Sequence, residues 1–465
     1  MSFDSGAYLL FLPAAVLLHW LCPPRRRWAV LLASSLFFYA SWSVPLTGLL
    51  LAQAGAAWLA GLAMGKWKRP ALRRLALGLA LAVCFGLLGY FKYFNFLAGG
   101  VAALLGGTWS PWDIILPVGC SFYTFQAVSY VVDVYRGRLA PERHPGYFTL
   151  YISFFPQLVA GPIERAGDLL PQLRAVRRLE RRDVETGLRL LLCGFFRKVV
   201  IADFCGVFVT AAYSAPNPDG SAVFLATLLF AVQIYCDFAG YSEIAAGSAR
   251  LLGVRLMRNF DRPYLARGFR DFWRRWHVSL GRWFTDYVYI PLGGNRKGLG
   301  RQLLAGLVVF ALSGLWHGAE WSFVVWGLLH GALFASELLV RRAGLDPAQT
   351  RAGRGLSAVL TFAAVTFGWI FFRADSLGHA AALLGRLFSP WNLNAGLACL
   401  GLTLTDGLRL ALLLALLPGL ERLGWGGEEN RPGHMTCVYA FLAVAVSWLI
   451  RLGSGGAGTF IYFQF

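Results

Sequence analysis

From Gln302 to Ala319 the chain runs through 18 residues without a charged side chain. A helix of that length is about 27 Å long, close to the roughly 30 Å of a bilayer's hydrocarbon core. Similar runs recur at roughly 7–22, 28–43, 46–65, 75–97, 114–132, 199–217, 221–243, 302–318, 321–340, 355–372, 400–420 and 434–450. In lipid, backbone polar groups must find partners within the protein, so such runs are restricted to helices. Composition agrees: 14% of the 465 residues are charged and the mean hydropathy is +0.55, whereas soluble domains are about 25% charged. The expected fold is an all-α polytopic membrane protein with about 11–12 transmembrane helices.

The net charge of +19 invites a nucleic-acid reading until its distribution is examined. Of 43 Lys and Arg residues, 38 fall in alternate connecting segments, at 25–27, 66–74, 136–198, 250–301, 341–354 and 422–431. That asymmetry follows the positive-inside rule, places both termini outside, and makes the lipid bilayer the partner in place of nucleic acid. Met1 to Cys22 has the reversed order for a secretory signal, since Asp4 precedes the apolar run and Arg25-Arg26-Arg27 follows it. It is expected to be a retained first helix. The eight cysteines show no CxxC spacing and the seven histidines no HxxxH or HExxH spacing, so no metal site or bound cofactor is expected.

Chemistry concentrates at Trp316-His317-Gly318-Ala319-Glu320-Trp321, where the uncharged run ends. Ionisable groups at such depth are unfavourable enough to mark function. Gly314 and Gly318 allow another backbone or a substrate to come close. His330 follows thirteen residues on, a rotation of about 220° on an ideal helix. It therefore need not share the face of His317 and reads as structural. His19, His144, His379 and His434 read as surface or interfacial.

Other stretches surround this one. Ile114–Gln126 carries Pro117 and Gly119, which break backbone bonding and must face protein or a wet cavity. Tyr151–Glu164, with two prolines, reads as re-entrant or surface-lying, and 165–189 as an amphipathic helix. Residues 269–284 place aromatics at helical spacing among Arg270, Arg274 and Arg275. They form either an interfacial helix or a pocket for an anionic ligand. The turn Gly293-Gly294-Asn295-Arg296-Lys297-Gly298 is a weak phosphate signal alone. Asp203, Asp237 and Glu243 are carboxylates at or within the membrane and need partners, for structure or for substrate.

Several of these stretches together resemble the membrane-bound O-acyltransferase family, in particular its bacterial alginate O-acetyltransferase branch. They are SFYTFQ at 121–126, FFPQLVAGPIER at 154–165, DFAGYSEIA at 237–245 and NFDRPYLARGFRDFWRRWHVSLGRWFTDYVYIPLGGNRKG at 259–298. LWHGAEWSFVVWGLLHG at 315–331, GWIFFRA at 368–374 and the terminal FIYFQF complete the match. The resemblance implies one integral membrane acyltransferase domain over 1–465, with peripheral helices in 1–113, a catalytic core in 114–374 and further helices in 375–465. It further implies helices around a tunnel, with His317 central and His277 on the cytoplasmic side. Acetyl-CoA in the cytoplasm is the implied acyl donor, and the acceptor hydroxyl lies outside a bacterial inner membrane. A periplasmic SGNH-type partner would pass acetyl to a polysaccharide such as alginate.

The chemistry suits those residues. Acyl transfer to an alcohol requires the hydroxyl proton to leave as oxygen attacks the thioester carbonyl, and an imidazole with an ordinary pKa near 6.5 can take it. A thiolate, with a pKa of about 8.5, leaves with little acid help. His317 is thus the expected base; His277 either joins it or shapes the donor tunnel. The oxyanion could be met by Trp316, Trp321, Ser313 or Ser322. Donor or substrate contacts are expected from Trp316, Trp321, Arg274, Arg275, Asn295, Arg296, Lys297 and Asp237. Two other readings stay open: D-alanyl transfer to teichoic acid, and a transporter relaying protons through Asp203, Asp237, Glu243 and His317.

Overall fold

The structure, a computed structural model, describes residues 1–159, 161–345 and 350–423; the expected span at 434–450, His434, Cys437 and the aromatic tail lie outside them. Among the described residues there are helices and turns but no strands. The chain forms two compact units, Met1–Leu191 with Ile244–Met257, and Leu192–Glu243 with the residues from Arg258 onward.

The first unit begins with α1 (Gly6–Leu21), α2 (Arg27–Ala40), α3 (Val44–Lys66), α4 (Pro70–Leu88) and α5 (Phe94–Leu104). A π-helical turn, Gly89–Tyr93, joins α4 to α5, so that Pro70–Leu104 runs as one span. Leucines on these helices stand fully open, with Leu10 79% and Leu104 88% exposed. Apolar surface on that scale suits lipid. Next come α6 (Cys120–Tyr135), α7 (Pro145–Ser153), α8 (Phe155–Leu158), α9 (Ala166–Arg174) and most of α10 (Arg181–Phe195). The stretch expected to be re-entrant or surface-lying is buried: Phe154 and Phe155 are fully covered, and Phe155 N–H donates to Ser35 Oγ at 3.1 Å.

The second unit contains α11 (Asp203–Tyr213), most of α12 (Gly220–Leu251), α13 (Phe269–Arg275), α14 (Val278–Phe284), α15 (Leu299–His317), α16 (Trp321–Arg342) and α17 (Arg351–Arg373). It closes with α18 (Leu377–Leu387), α19 (Leu393–Leu400) and α20 (Leu404–Leu423). A π-helical segment, Phe196–Ala202, leads into α11.

The all-α polytopic class is as expected, and among the described residues fewer helices reach crossing length than the sequence has apolar runs. Among the described residues, six helices are long and apolar enough to cross a membrane, or seven if α19 and α20, bent by 81°, make one. The runs at 7–22, 28–43 and 114–132 yield helices of 16, 14 and 16 residues. Even 16 residues rise only about 24 Å. Gly119, left-handed at φ 73°, delays α6 until Cys120. The run at 199–217 is divided between the π-helical segment and α11.

Two further expectations are corrected. The amphipathic helix at 165–189 is two helices, α9 and α10, separated by residues 175–180. The helix at 269–284 is α13 and α14, broken at Trp276-His277, because His277 adopts φ 44° and stops the helix there.

The seam between α15 and α16 positions the site. A Cβ on Gly314 would strike the Phe323 carbonyl, and one on Gly327 the Phe310 carbonyl. A Cβ on Gly318 would collide with the Phe323 ring. The two main chains therefore touch as only glycine permits. The close approach read from Gly314 and Gly318 is realised here.

Candidate active site

His317 is the last residue of α15 and only 4% exposed. Helix α16 begins after a three-residue turn and folds back along α15, which sets the Trp326 ring 5.2 Å from the His317 imidazole. Phe372 of α17 stands 5.3 Å from it, and Trp316 5.0 Å. The His317 ring therefore sits among aromatic edges.

His277 completes the arrangement. Its ring is 6.3 Å from that of His317 and 5.9 Å from Trp316, with Phe238 at 4.7 Å. The left-handed backbone at His277 is held from one side by Asn259. The Asn259 carbonyl accepts from Val278 N–H at 2.9 Å, and its Oδ1 accepts from Ser279 N–H at 3.2 Å and Ser279 Oγ at 3.0 Å. His277 Nδ1 lies 3.3 Å from the same Oδ1. Oδ1 already accepts from a backbone amide, so the bond to His277 requires the hydrogen on Nδ1. The tautomer assigned by this network leaves the lone pair on Nε2. Burial pushes the His277 imidazole down to about 3, so the ring is neutral at any working pH.

A cavity of about 690 Å³ reaches Val278, next in the chain to His277, and Ser313 on α15, while neither histidine is among its lining residues. Its polar lining comes from Arg270, Arg274, Arg282 and Asn295 together with one carboxylate, Asp286, and with Thr285, Tyr289 and Gln302, and Trp273, Phe310 and Ser313 form part of the rest. Ser313 lies one helical turn before His317 on α15. Of the expected donor contacts, Arg274 and Asn295 thus line the cavity and Trp316 reaches the histidines. Arg275 is bound to Asp271 at 2.9 Å, and Arg296 and Lys297 are exposed and outside the lining. Trp321 is 57% exposed at the start of α16.

Asp237 lies elsewhere. Its carboxylate pairs with Lys198 Nζ at 2.9 Å, and the same ammonium meets Asp203 at 2.7 Å. Arg197 pairs with Glu243 at 2.9 Å. The carboxylates named for a proton relay therefore sit in a buried ion-pair cluster around the π-helical segment. His330 is fully buried against Trp273 at 5.1 Å and Trp326 at 4.9 Å. It shares Trp326 with His317, from the opposite side of the seam in sequence terms but within the same aromatic cluster.

Trp326, Phe372 and Asn259 were not singled out by sequence. Trp326 and Phe372 lie inside stretches that carry the family resemblance, which signals importance but no role. Asn259 opens another such stretch, at 259–298, and being 18 residues from His277 it likewise shows no role in the sequence.

Residues 143–376 match the model of the MBOAT, membrane-bound O-acyltransferase, family, and this segment contains both histidines and the cavity. The chain is a membrane-bound O-acyltransferase. Among similar members, the "Probable alginate O-acetylase AlgI" of Pseudomonas putida is 37% identical, covering all of both chains. That of Pseudomonas aeruginosa is 37% identical over 85% of this chain and 76% of its own. The peptidoglycan O-acetyltransferase of Helicobacter pylori is 33% identical over 77% of this chain and 73% of its own. This membrane-bound O-acyltransferase is accordingly an enzyme with several membrane-crossing helices.

Proposed function

We propose that the protein moves an acetyl group from acetyl-CoA on the cytoplasmic side of a bacterial inner membrane to a hydroxyl outside, for O-acetylation of an alginate-like polysaccharide. The observation that carries this is the meeting of two buried imidazoles, 6.3 Å apart in an aromatic enclosure, beside an arginine-edged cavity. Guanidinium groups suit the phosphates of a CoA thioester, and the apolar wall toward Ser313 suits its pantetheine arm.

His317 takes the proton of the acceptor hydroxyl as its oxygen attacks the thioester carbonyl. The tetrahedral intermediate then collapses, breaking the carbon–sulfur bond and releasing CoA as a thiolate. His277, neutral and held by Asn259, orients the donor or the His317 ring and does not carry charge. An SGNH-type partner outside would take the acetyl onward to the polymer; the names of the alginate relatives favour that acceptor.

The test is acetyl transfer from radiolabelled acetyl-CoA by the purified protein in vesicles, with and without an SGNH-type partner and polymer. Acceptor-dependent release of CoA is expected, and His317→Ala should lower it by about 10²–10⁴. Wild-type transfer by that variant, folded and inserted, would remove the assignment. Solute flux without CoA release would favour the transporter.

A further inference from the structure

We propose that the first unit contains a binding pocket for a phosphate group at the membrane surface, independent of the acyl-transfer site. Where α1 ends, Pro23-Pro24 and three consecutive arginines turn the chain into α2. A cavity of about 220 Å³ lies at this corner, walled by Arg25, Arg27, Arg174, Arg177, Trp20 and His19 among others. It adjoins a shallow groove formed by Pro23, Pro24, Arg25, Arg26 and Val176. No carboxylate lines either one.

The cationic groups divide into fixed and free. Arg27 is fixed: it donates to the Arg177 carbonyl at 2.7 Å and to the Cys22 carbonyl at 3.2 Å, and its guanidinium lies 4.6 Å over the Trp20 ring. Arg174 is bound to Glu142 and lies over Tyr147. Arg25 and Arg26 are exposed and make no ion pair among the described residues. Behind them His19, 5% exposed, has its Nδ1 buried without a hydrogen-bond partner there. A site with rigid walls, two uncommitted guanidinium groups, an available imidazole nitrogen and no acid is built for an anion with several acceptor oxygens.

The surroundings narrow the class. Leu17, Leu18 and Leu21 on α1 and Val176 beside the groove are 59%, 58%, 72% and 69% exposed. An anion held among arginines with an apolar skirt alongside fits the headgroup phosphate of an acidic phospholipid, whose acyl chains would lie along α1. A soluble phosphate ester presents the same oxygens without the chains. The shared chemistry is the phosphate.

Native mass spectrometry of the full-length protein in mild detergent, titrated with phosphatidylglycerol and separately with phosphatidylethanolamine, tests this. Wild type should retain phosphatidylglycerol in preference to phosphatidylethanolamine. Arg25→Gln with Arg26→Gln should weaken that retention roughly 30-fold, at about a factor of five per arginine. Arg25→Gln alone removes an exposed side chain and should retain the fold with about a fivefold loss. Arg69→Gln, an exposed cation outside the pocket, should change nothing. Competition by inorganic phosphate or a nucleoside monophosphate, lost in the double variant, would make a soluble ester the occupant. Failure of both to compete would make it the lipid. Equal phosphatidylglycerol retention by the double variant and Arg69→Gln, with no arginine-dependent binding of inorganic phosphate, would overturn the proposal.

Discussion

The second unit buries polar side chains in two contrasting ways. Around Arg197 and Lys198, each cation faces a carboxylate at 2.7–2.9 Å, and the side chains of Arg197 and Glu243 are 4% and 1% exposed. Around His277 and His317 the rings of Phe238, Trp316, Trp326 and Phe372 stand 4.7–5.9 Å away, and Asn259 Oδ1 lies 3.3 Å from His277 Nδ1. Opposite charges at contact distance neutralise one another and hold a fold. Under the proposed function the enclosed His317 imidazole acts on a substrate instead of on a charged partner. On the proposed function the difference separates scaffold from machinery inside one unit.

The largest expected effect breaks the machinery alone. His317→Ala should lower acyl transfer by about 10²–10⁴, while thermal midpoint and size-exclusion profile stay at wild-type values. The ion-pair cluster should respond in the opposite sense. Glu243→Ala leaves Arg197 buried and unpaired, an expected destabilisation of about 3–5 kcal/mol, read as lost folded yield. Arg197→Met combined with Glu243→Leu should recover most of that yield. A stable Glu243→Ala protein with lost activity would instead move this cluster into the catalytic region.

Asn259 offers a finer test, because it touches His277 without lying in the enclosure. Asn259→Ala should lower turnover about tenfold, the worth of roughly one hydrogen bond, with little change in KM. A change confined to KM would make Asn259 a donor-binding residue. Acid should separate the regions further. The folded His277 is held near 3 by burial, whereas an unfolded histidine titrates near 6.5. Its contribution to stability is complete above about pH 6.5 and falls as the pH drops toward 3, because only the unfolded chain takes up the proton. The thermal midpoint of wild type should therefore decline between pH 7 and 5. His277→Asn, which tolerates the left-handed backbone and does not titrate, should remove that part of the slope. The smallest effect belongs to Trp321. At 57% exposed, its change to Ala should alter transfer by no more than about twofold, and a large loss would revive it as an oxyanion donor.

Much of this was legible in the sequence, and the limits have physical causes. Hydropathy locates apolar runs, so the all-helical membrane class is visible; it does not register that Gly119 delays a helix or that a π-helical segment divides one. His317 stood out because an imidazole after an uncharged run is anomalous, and the flanking glycines forecast the tight approach of α16. The break at His277 could not be read, since a left-handed histidine leaves no compositional mark where glycine would. Asn259 escaped for a related reason: its importance lies in three acceptor contacts to residues far along the chain. Asp237 was visible as a buried acid, but only geometry shows that Lys198 faces it.

The glycine contacts between α15 and α16 carry one consequence for what the enzyme can accept. With Gly314 against the Phe323 carbonyl and Gly327 against that of Phe310, main chain rests on main chain, and neither helix can move closer to the other without collision. That wall is incompressible. Room for a longer acyl group must therefore be carved from the rings opposite it, and trimming Phe372 or Trp326 is the route by which the tolerated chain length would grow.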